Sequence, residues 1–454
     1  MLGCFLRGGC SPLLCLWALL LPLVSLHRLN QHGRRDHIVR DRPKLLLVSF
    51  DGFRWDYIHR VPMPNFKTII DEGVIVKEVE SAYITKTFPN HYSLVTGLYA
   101  ETHGIVANEM YDPVLNRSFS METDSIYESF WWEEAVPLWY NASVSFETRV
   151  ERIIQWFSAP KEESVDFGVL YWEEPDESGH RLGPQNPEMD KVIAEIDEKL
   201  GFLMNELKKA GLYEKVNLIV TSDHGMAQLS TDKIIELDEY VSRDLYTWVD
   251  KSPVVGILPK EGKLDEVYSK LLDANPNMVV YKKEDIPKHF HYQHNIRIMP
   301  ILIEAKEGWT IMQNRTGAFM SGNHGYNNTL RSMQPVFVAR GPALRQNYVK
   351  TSMSSVDLYP LMCHILSIHP LPNNGSLFNV RDLLTEEPAP STPSVPPRVN
   401  EYSYAPIVGS FLGVVMVLGF LVVYIRQVTL KQLPSLKHRS REMSQPLLQE
   451  DLHL

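Results

Sequence analysis

The chain has 454 residues, of which 44% are hydrophobic and 22% are charged, and its formal net charge at pH 7 is -10. This balance is typical of a globular protein with a sizeable core, and it excludes a wholly disordered chain. The excess of acidic side chains argues against a nucleic acid as the main partner, because nucleic acid phosphates are bound by basic surfaces.

The N-terminal segment has the pattern of a secretory signal peptide. Arg7 precedes an apolar run from Pro12 to Leu26 that has small residues near its end. We therefore predict a signal peptide over residues 1–26. A membrane anchor is the alternative, although the run is short for a bilayer. Residues 27–43 form a polar lead into the first predicted strand.

Three apolar runs in the central part of the chain lead into acidic side chains, which indicates strands of one sheet. Leu45–Phe50 leads to Asp51, Phe167–Trp172 to Asp176, and Leu218–Thr221 to Asp223. Continuous apolar strands of this kind are typical of a parallel sheet that is buried on both faces.

Helical patterns lie between these strands. Pro64 to Asp71, followed by Gly73, predicts a short helix, and a longer helix is predicted from Asn186-Pro187 to Gly211. Strands that alternate with helices predict an α/β domain over residues 44–384, with a mostly parallel sheet flanked by helices. Ligands of such sheets bind beyond the carboxyl ends of the strands, where the three aspartates lie, so we expect these to share one site.

Hydroxyl, carboxylate and imidazole groups are available near these strand ends. The candidate metal ligands are Asp51, Thr87, Asp176, His180, Asp223, His224 and His324. Asp176 and His180 would share a face on one helical turn, and in a loop they could still converge. Taken singly, such residues are more often capping aspartates and surface histidines. Together they could bind two divalent metal ions, and mixed carboxylate and imidazole ligation suits zinc, with manganese as an alternative.

Thr87 is the candidate nucleophile, and it lies in a polar, turn-forming stretch. Two metal ions about 4 Å apart can clamp the attacking and leaving oxygens of an in-line displacement. A hydroxyl bound to one ion is deprotonated more easily, and a helix that begins near Pro89 would direct its positive end at Thr87.

Cysteine and asparagine residues suggest an exported protein. Cys363 would be the only cysteine of the processed chain, and its apolar surroundings predict burial of the thiol. Behind a signal peptide, Asn-Xaa-Ser/Thr sequons are candidate glycosylation sites. They are Asn116, Asn141, Asn314, Asn327 and Asn374. A glycan on Asn327 could crowd a site at His324.

The C-terminal part predicts a membrane anchor. Residues 385–404 are rich in proline, serine and threonine and are predicted as a stalk. Residues 405–425 are uncharged and long enough to span a bilayer, although a buried core helix is the alternative. Basic residues follow, so the positive-inside rule predicts a cytoplasmic tail over residues 426–454. We expect a single-pass type I protein of the cell membrane, with a secreted form as an alternative.

Five segments resemble the motifs of a known family. They are Val48–Phe53, Thr85–His91, Tyr171–Asp176, Thr221–Met226 and Asn323–Tyr326. In sequence and in order they resemble the ectonucleotide pyrophosphatase/phosphodiesterase family, and the resemblance covers nearly all of the predicted outer domain. The chain is similar to the short type I members, which lack the somatomedin-like and nuclease-like domains of larger relatives.

This resemblance implies an alkaline phosphatase-like fold with two zinc ions. One ion would be bound by Asp176, His180 and His324, and the other by Asp51, Thr87, Asp223 and His224. Thr87 would attack phosphorus to form a covalent nucleotidyl intermediate, which water then hydrolyses. The implied substrates are extracellular nucleotides or dinucleotides, with NAD as one candidate.

The resemblance also implies the residues that bind substrate. Asn108 would donate a hydrogen bond to a phosphate oxygen, Phe88 and Tyr171 would sandwich the base, and Tyr140 would be a further tyrosine of the pocket. A sulfatase is the nearest rival among enzymes, but it would need a cysteine where Thr87 stands.

The chain departs from the family pattern at two places. Family members carry an additional segment where Trp139 is followed directly by Tyr140 here. Part of the domain and of the pocket wall is therefore expected to be missing. This gives the alternative function, a surface glycoprotein with impaired catalysis that acts in adhesion or signalling. Leu229 stands where family members often carry cysteine, in agreement with Cys363 having no partner.

Overall fold

A computed structural model describes residues 42–121, 123–132, 143–160, 162–315 and 319–385 of the chain, which all fall in a unit that extends to Thr385. The predicted signal peptide, membrane helix and tail lie outside these ranges, as do the stalk beyond its first residue, Thr385, and the residues Tyr140 and Asn141. A search of the described ranges finds no helix with the length and apolar character needed for a bilayer crossing.

Strands and helices alternate along the described residues. The strands are β1 (Lys44–Phe50), β2 (Val74–Glu80), β3 (Glu109–Asp112), β4 (Arg117–Ser120), β5 (Phe167–Trp172), β6 (Val216–Thr221), β7 (Ala227–Gln228), β8 (Ile234–Glu236), β9 (Tyr246–Val249), β10 (Val254–Pro259), β11 (Met278–Lys282), β12 (Ile301–Ala305), β13 (Thr310–Met312), β14 (Gly322–Asn323), β15 (Phe337–Arg340) and β16 (Tyr348–Ser354). The helices are α1 (Pro64–Glu72), α2 (Thr87–Thr96), α3 (Ala100–His103), α4 (Phe146–Ser158), α5 (Asp176–Leu182), α6 (Met189–Lys209), α7 (Leu264–Leu271), α8 (Leu358–Ile365) and α9 (Leu377–Val380).

The largest sheet contains six strands in the order β16-β2-β15-β6-β1-β5. Strand β1 is parallel to its neighbours β5 and β6, and β16 is parallel to β2. Only β15 among these six runs antiparallel to its neighbours, β6 and β2. The sheet is therefore mixed but mostly parallel, and the predicted α/β fold is confirmed with this one antiparallel strand added.

Strand β1 is buried on both faces, which explains its uninterrupted apolar sequence. Leu46, Val48 and Phe50 face one core, which includes side chains of α1, α4 and α6. Leu45 and Leu47 face a second core with side chains of α8 and α9. Full burial of one such side chain contributes about 1.5–3 kcal/mol, so the two cores hold β1 firmly between β6 and β5.

The predicted helices are present, with shifted ends. Helix α1 begins at Pro64, where the missing N–H breaks no helical hydrogen bond. Helix α6 begins at Met189, later than the predicted start at Asn186-Pro187, because the Met189 N–H bonds the Asn186 carbonyl in a preceding turn. Gly211 lies beyond the end of α6 with φ +66°, the left-handed conformation that commonly terminates helices.

Two further cores complete the domain. An antiparallel sheet with the order β11-β12-β10-β9 contributes apolar side chains such as Val255 and Ile303 to one of them. The other is largely aromatic and includes Tyr92 and Phe119, with Phe88 and Trp132 packed against it. Trp132 is the last described residue before positions 133–142.

Candidate active site and metal centre

Three aspartates meet at the carboxyl edge of the large sheet, as the sequence predicts. Asp51 follows β1, Asp223 lies two residues beyond the end of β6, and Asp176 opens α5 shortly after β5. The Asp51 N–H donates to the Trp172 carbonyl at 2.9 Å, and the Asp176 N–H donates to the Asp51 carbonyl at 3.0 Å. These bonds fold the chain after β5 onto the end of β1.

Gly52 permits this close approach of backbone and side chain. Its φ is +66°, a conformation that glycine adopts at little cost. A Cβ atom at this position would lie 2.8 Å from the Cβ of Asp176. The Gly52 N–H donates to Oδ1 of Asp223 at 3.2 Å, so glycine lets the three aspartates share one small volume.

The first group of candidate metal ligands is Asp176, His180 and His324. Asp176 and His180 share one face of helix α5, with 3.3 Å between Oδ2 and Nε2, so the helical alternative is the one observed. Nε2 of His324 lies 3.7 Å from Oδ1 of Asp176, and its ring centroid lies 5.0 Å from that of His180.

The second group surrounds Nε2 of His224. This nitrogen lies 3.0 Å from Oδ2 of Asp223, 3.4 Å from Oδ1 of Asp51 and 3.3 Å from Oγ1 of Thr87. The rings of His224 and His324 stack with 3.5 Å between their centroids, so the two groups are adjacent. The structure thus brings all seven predicted ligands into one cluster.

The hydrogen bonds of the three histidines suit metal coordination. Nδ1 of each ring lies 2.8–2.9 Å from a backbone carbonyl. The pairs are His180 with Gly322, His224 with Gly225, and His324 with Thr85. Because a carbonyl only accepts, Nδ1 carries a proton in each ring, and in the neutral imidazole the Nε2 lone pair faces the carboxylates. Metal-binding histidines are commonly held in this way.

The carboxylates provide an independent test of the same fit. Asp51 Oδ1, Asp176 Oδ1 and Asp223 Oδ2 are buried, and none has a hydrogen-bond partner among the described residues. Leaving a buried anionic oxygen unpartnered costs free energy. Each of these oxygens lies 3.0–3.7 Å from Nε2 of His224 or His324, so cations bound between them would satisfy both ligand types.

The pKa values of the side chains in the cluster also indicate that the carboxylates require positive charge beside them. Burial, with the neighbouring charges of Asp223 and Asp176, raises the pKa of Asp51. Burial alone would raise the pKa of Asp176 and of Asp223, but the adjacent histidines outweigh it and hold both pKa values below the ordinary range. Burial would lower the pKa of His224, yet Asp223 outweighs it and raises that pKa. Protons or metal ions must therefore balance the three carboxylates.

His91 belongs to the site but was not selected from the sequence. Its Nδ1 lies 3.4 Å from Oδ2 of Asp223, and with Asp51 these residues form a third possible ligand group. However, Nδ1 also lies 2.9 Å from the carbonyl of Thr87, and Nε2 lies 2.9 Å from the hydroxyl of Ser49. Both ring nitrogens are thus engaged within the protein. The signal that could have identified His91 in the sequence is its spacing of four residues from Thr87 on one helix.

Thr87 is the first residue of helix α2, earlier than the predicted start near Pro89. The N–H groups of a first helical turn lack helical acceptors and carry partial positive charge. Asn90 fixes the preceding loop, because its Nδ2 donates to the carbonyls of Ile84 at 2.9 Å and of Lys86 at 3.1 Å. The Thr87 side chain is consequently held at the positive end of a helix, beside the ligand cluster.

The proposed phosphate-binding residue lies next to this helix. Oδ1 of Asn108 accepts the N–H of Phe88 at 3.0 Å, which fixes the orientation of the amide. The Nδ2 donors then remain for another acceptor. The half-buried ring of Phe88 packs against Phe119 and Trp132, with centroid distances of 6.0 and 6.1 Å.

Tyr171 lies at the ligand cluster. Its hydroxyl donates to Oδ2 of Asp51 at 2.5 Å, and its ring meets that of His91 edge to face at 5.2 Å. The structure thus ties Tyr171 to a candidate metal ligand. The other predicted pocket tyrosine, Tyr140, lies outside the described residues.

The described sequons differ in exposure. Asn116 and Asn374 are exposed, whereas Asn314 and Asn327 are half-buried, and Asn141 lies outside the described residues. Cys363 is 2% exposed and has a free thiol, so its predicted burial is confirmed.

Comparison with known proteins identifies a family. The family described as type I phosphodiesterase / nucleotide pyrophosphatase matches in two pieces, residues 45–143 and 139–327. Human ectonucleotide pyrophosphatase/phosphodiesterase family member 5 is 49% identical over 453 residues, covering 90% of this chain and 94% of that protein. Human bis(5'-adenosyl)-triphosphatase is 44% identical over 415 residues, covering 84% of this chain and 89% of that protein.

Solved structures agree in fold. Murine ectonucleotide pyrophosphatase/phosphodiesterase 5, in an inactive threonine-to-alanine variant with AMP, aligns with a TM-score of 0.74 and 52% identity. The alignment covers 76% of this chain and 100% of that one. The human counterpart aligns with the same TM-score, identity and coverage.

The comparisons also bear on the expected missing segment. The alignment with the human relative spans 453 positions, whereas 90% of 454 residues is about 409, so about 44 aligned positions have no residue in this chain. The two pieces of the family match meet at residues 139–143. Both findings agree with the loss of a segment after Trp139.

Proposed function

The chain belongs to the ectonucleotide pyrophosphatase/phosphodiesterase family of hydrolases, and we propose that it hydrolyses phosphodiester or pyrophosphate bonds of extracellular nucleotides or dinucleotides. The observation that supports this most strongly is the position of Thr87. Its hydroxyl lies 3.3 Å from Nε2 of His224, inside a cluster whose carboxylates each present an unpartnered oxygen.

We propose that the cluster binds two zinc ions. Asp176, His180 and His324 would bind one, and Asp51, Thr87, Asp223 and His224 would bind the other. Bound zinc supplies positive charge that lowers the pKa of a coordinated hydroxyl and offsets the charge on the phosphate. The mixture of imidazole and carboxylate ligands favours zinc over calcium or magnesium.

Thr87 is the proposed nucleophile. As its Oγ1 bonds to phosphorus, the bond from phosphorus to the leaving group breaks, the threonine loses its proton, and the departing oxygen takes up a proton. The product is a covalent threonyl-nucleotide. Water then breaks the bond between Oγ1 and phosphorus and restores the hydroxyl. The N–H groups at the start of α2 favour the negative charge that develops there.

The surrounding residues would hold the nucleotide. Asn108 would donate from Nδ2 to a phosphate oxygen, because its Oδ1 already accepts the Phe88 N–H. Phe88 and Tyr171 would hold the base. The murine relative is described with AMP, and another relative is named as a bis(5'-adenosyl)-triphosphatase. These descriptions support a nucleotide or dinucleotide substrate, of which NAD is one candidate, and the inactive murine variant supports an essential threonine.

The test compares Thr87→Ala with Thr96→Ala on the same helix, using p-nitrophenyl-TMP as substrate. Thr96 donates to the Tyr92 carbonyl at 2.6 Å and belongs to neither ligand group. We expect Thr87→Ala to lower kcat at least about 10³-fold, while zinc content measured by mass spectrometry stays unchanged. Thr96→Ala should retain activity. Turnover by Thr87→Ala at the original rate would refute the mechanism.

The missing segment supports a second candidate, a surface glycoprotein with impaired catalysis that acts in adhesion or signalling. About 44 positions of the human relative have no residue here. The test assays this chain beside a version that carries the relative's segment after Trp139, with zinc measured in both. Turnover only in the restored version would favour the second candidate for the chain as it stands.

We further propose a type I arrangement in the cell membrane, with the catalytic domain outside the cell. The support is the sequence pattern, together with the exposure of the sequons at Asn116 and Asn374. Surface biotinylation of intact cells should label the chain, and enzymatic removal of N-glycans should lower its apparent mass. Absence of both effects would contradict this arrangement.

A further inference from the structure

Lys86, the residue immediately before Thr87, has a buried side chain that the proposed chemistry does not use. It is 4% exposed, and its Nζ forms an ion pair with Asp250, which is 6% exposed. The same Nζ donates to the carbonyl of Lys251 at 2.6 Å. These contacts connect the start of α2 to the turn that follows β9.

The aliphatic part of Lys86 passes close to a candidate metal ligand. Gly325, which follows His324, has φ +105°, and a Cβ there would lie 3.0 Å from Cε of Lys86 and 3.0 Å from Cδ of Pro253. The glycine at position 325 thus leaves room for the Lys86 side chain to pass between residues 324–326 and the turn that contains Asp250.

Thr85 also binds residues 324–326. Its Oγ1 accepts the N–H of Gly325 at 3.0 Å and donates to the carbonyl of Tyr326 at 2.9 Å. Its carbonyl accepts Nδ1–H of His324 at 2.8 Å. Thr85 therefore connects the backbone around His324 to the proposed nucleophile, Thr87. Lys86 lies between these two residues and is anchored by its ion pair with Asp250.

Stability alone is a weak reason for such a pair. A buried ion pair is often no more stabilising than apolar side chains of the same size, because both charges lose their hydration. Asp250 also belongs to none of the candidate metal-binding groups among the described residues. A buried pair does, however, fix direction, since moving either group leaves an uncompensated charge.

We propose that the Lys86–Asp250 ion pair is a positioning device that fixes the Thr87 hydroxyl relative to the His324 side of the ligand cluster. This inference rests on the proposed function, because it assigns a role in the attack by Thr87. It predicts that the pair affects the rate of the bond-forming step more than substrate binding or metal content.

The test removes both charges at once, as Lys86→Met with Asp250→Asn. Single substitutions would leave one buried charge and could prevent folding, whereas the double variant keeps side-chain volume. Asparagine also tolerates the φ of +64° at position 250. The matched control is Arg340→Met with Glu72→Gln, another ion pair (3.1 Å) with one buried partner.

We expect kcat of the double variant with p-nitrophenyl-TMP to fall about 10²-fold, which is the loss expected from misplacing a reacting group by about 1 Å. KM should stay within about twofold, and zinc content should equal that of the unaltered chain. The control pair should leave kcat unchanged. A double variant with unchanged kcat overturns the inference, even if its melting temperature falls. If the unaltered chain shows no turnover that depends on Thr87, both this inference and the proposed function are wrong. If the unaltered chain shows that turnover and the double variant keeps its kcat, only this inference is wrong.

Discussion

Replacing Gly52 with alanine should damage the candidate metal centre without touching any proposed ligand. The added Cβ would lie 2.8 Å from the Cβ of Asp176, where carbon atoms in contact prefer about 3.5–4.0 Å. Either Asp176 or the backbone after β1 must therefore move by about 0.7–1.2 Å. Asp176 cannot move by that distance and keep its present separations from His180 and His324.

The magnitude follows from two contributions. Alanine at a φ of +66° costs on the order of 1–2 kcal/mol of folding free energy, because its Cβ crowds the backbone in the left-handed region. Displacement of a reacting or metal-binding group by about 1 Å costs about 10²-fold in rate. We expect Gly52→Ala to fold with modestly lower stability, to bind less zinc and to lose about 10²-fold in kcat.

Gly211→Ala separates the two contributions. Gly211 has the same φ of +66°, but a Cβ there would meet no atom within 4 Å. It should show the stability loss alone, with full zinc content and activity. The assays are thermal unfolding, zinc by mass spectrometry and turnover of p-nitrophenyl-TMP, applied to both variants. Equal zinc content and activity in the two variants would refute the steric argument at Gly52.

Two other changes test the electrostatics and the packing. Since burial and the neighbouring aspartates raise the pKa of Asp51, Asp51→Asn should stabilise the metal-free protein at neutral pH. The gain should be absent near pH 3 and should grow as the pH rises above about 4, and the same variant should lose zinc; a metal-free variant less stable than the parent at pH 7 would contradict this. Burial raises the pKa of the Cys363 thiol, so a bulky maleimide should label it only after denaturation, and rapid labelling of the native protein would contradict its place in the core.

The sequence predicted the parts of the site that depend on strand ends. Asp51 and Asp223 follow buried apolar runs, and parallel strands necessarily bring their carboxyl ends to one edge of a sheet. The four-residue spacing of Asp176 and His180 gave their pairing once the segment proved helical. The local sequence pattern was sufficient because the position of each of these residues is determined by the strand or helix to which it is attached.

Other features depend on contacts that no local pattern contains. Strand β15 pairs antiparallel with β6 and β2, although its sequence resembles that of any other buried strand. The tautomers of two candidate ligands, His180 and His324, are set by carbonyls that are distant in the sequence, those of Gly322 and Thr85. The pairing of Lys86 with Asp250 likewise joins residues that are 164 positions apart. Only the tertiary structure brings these groups together.

The missing segment should weaken recognition of the base more than the chemistry. All seven proposed ligands lie among the described residues, whereas the gap falls between Trp132 and α4. Trp132 packs against Phe88, and Arg149 of α4 donates to the Tyr171 carbonyl at 2.8 Å. The gap is therefore flanked by one residue that packs against the Phe88 ring and by another that binds the backbone of Tyr171.

A pair of substrates can measure this separation of chemistry from recognition. p-Nitrophenyl-TMP carries a base, and bis-p-nitrophenyl phosphate offers the same leaving group without one. Stacking of a base on an aromatic side chain is worth about 1–3 kcal/mol, which corresponds to roughly 5- to 150-fold in kcat/KM. We expect the chain to show little preference between the two esters, and the version with the restored segment to prefer the nucleotide ester by a factor in that range. An equal preference in both versions would show that the segment does not contribute to holding the base. The described residues alone would then be sufficient to hold the aromatic side chains in place.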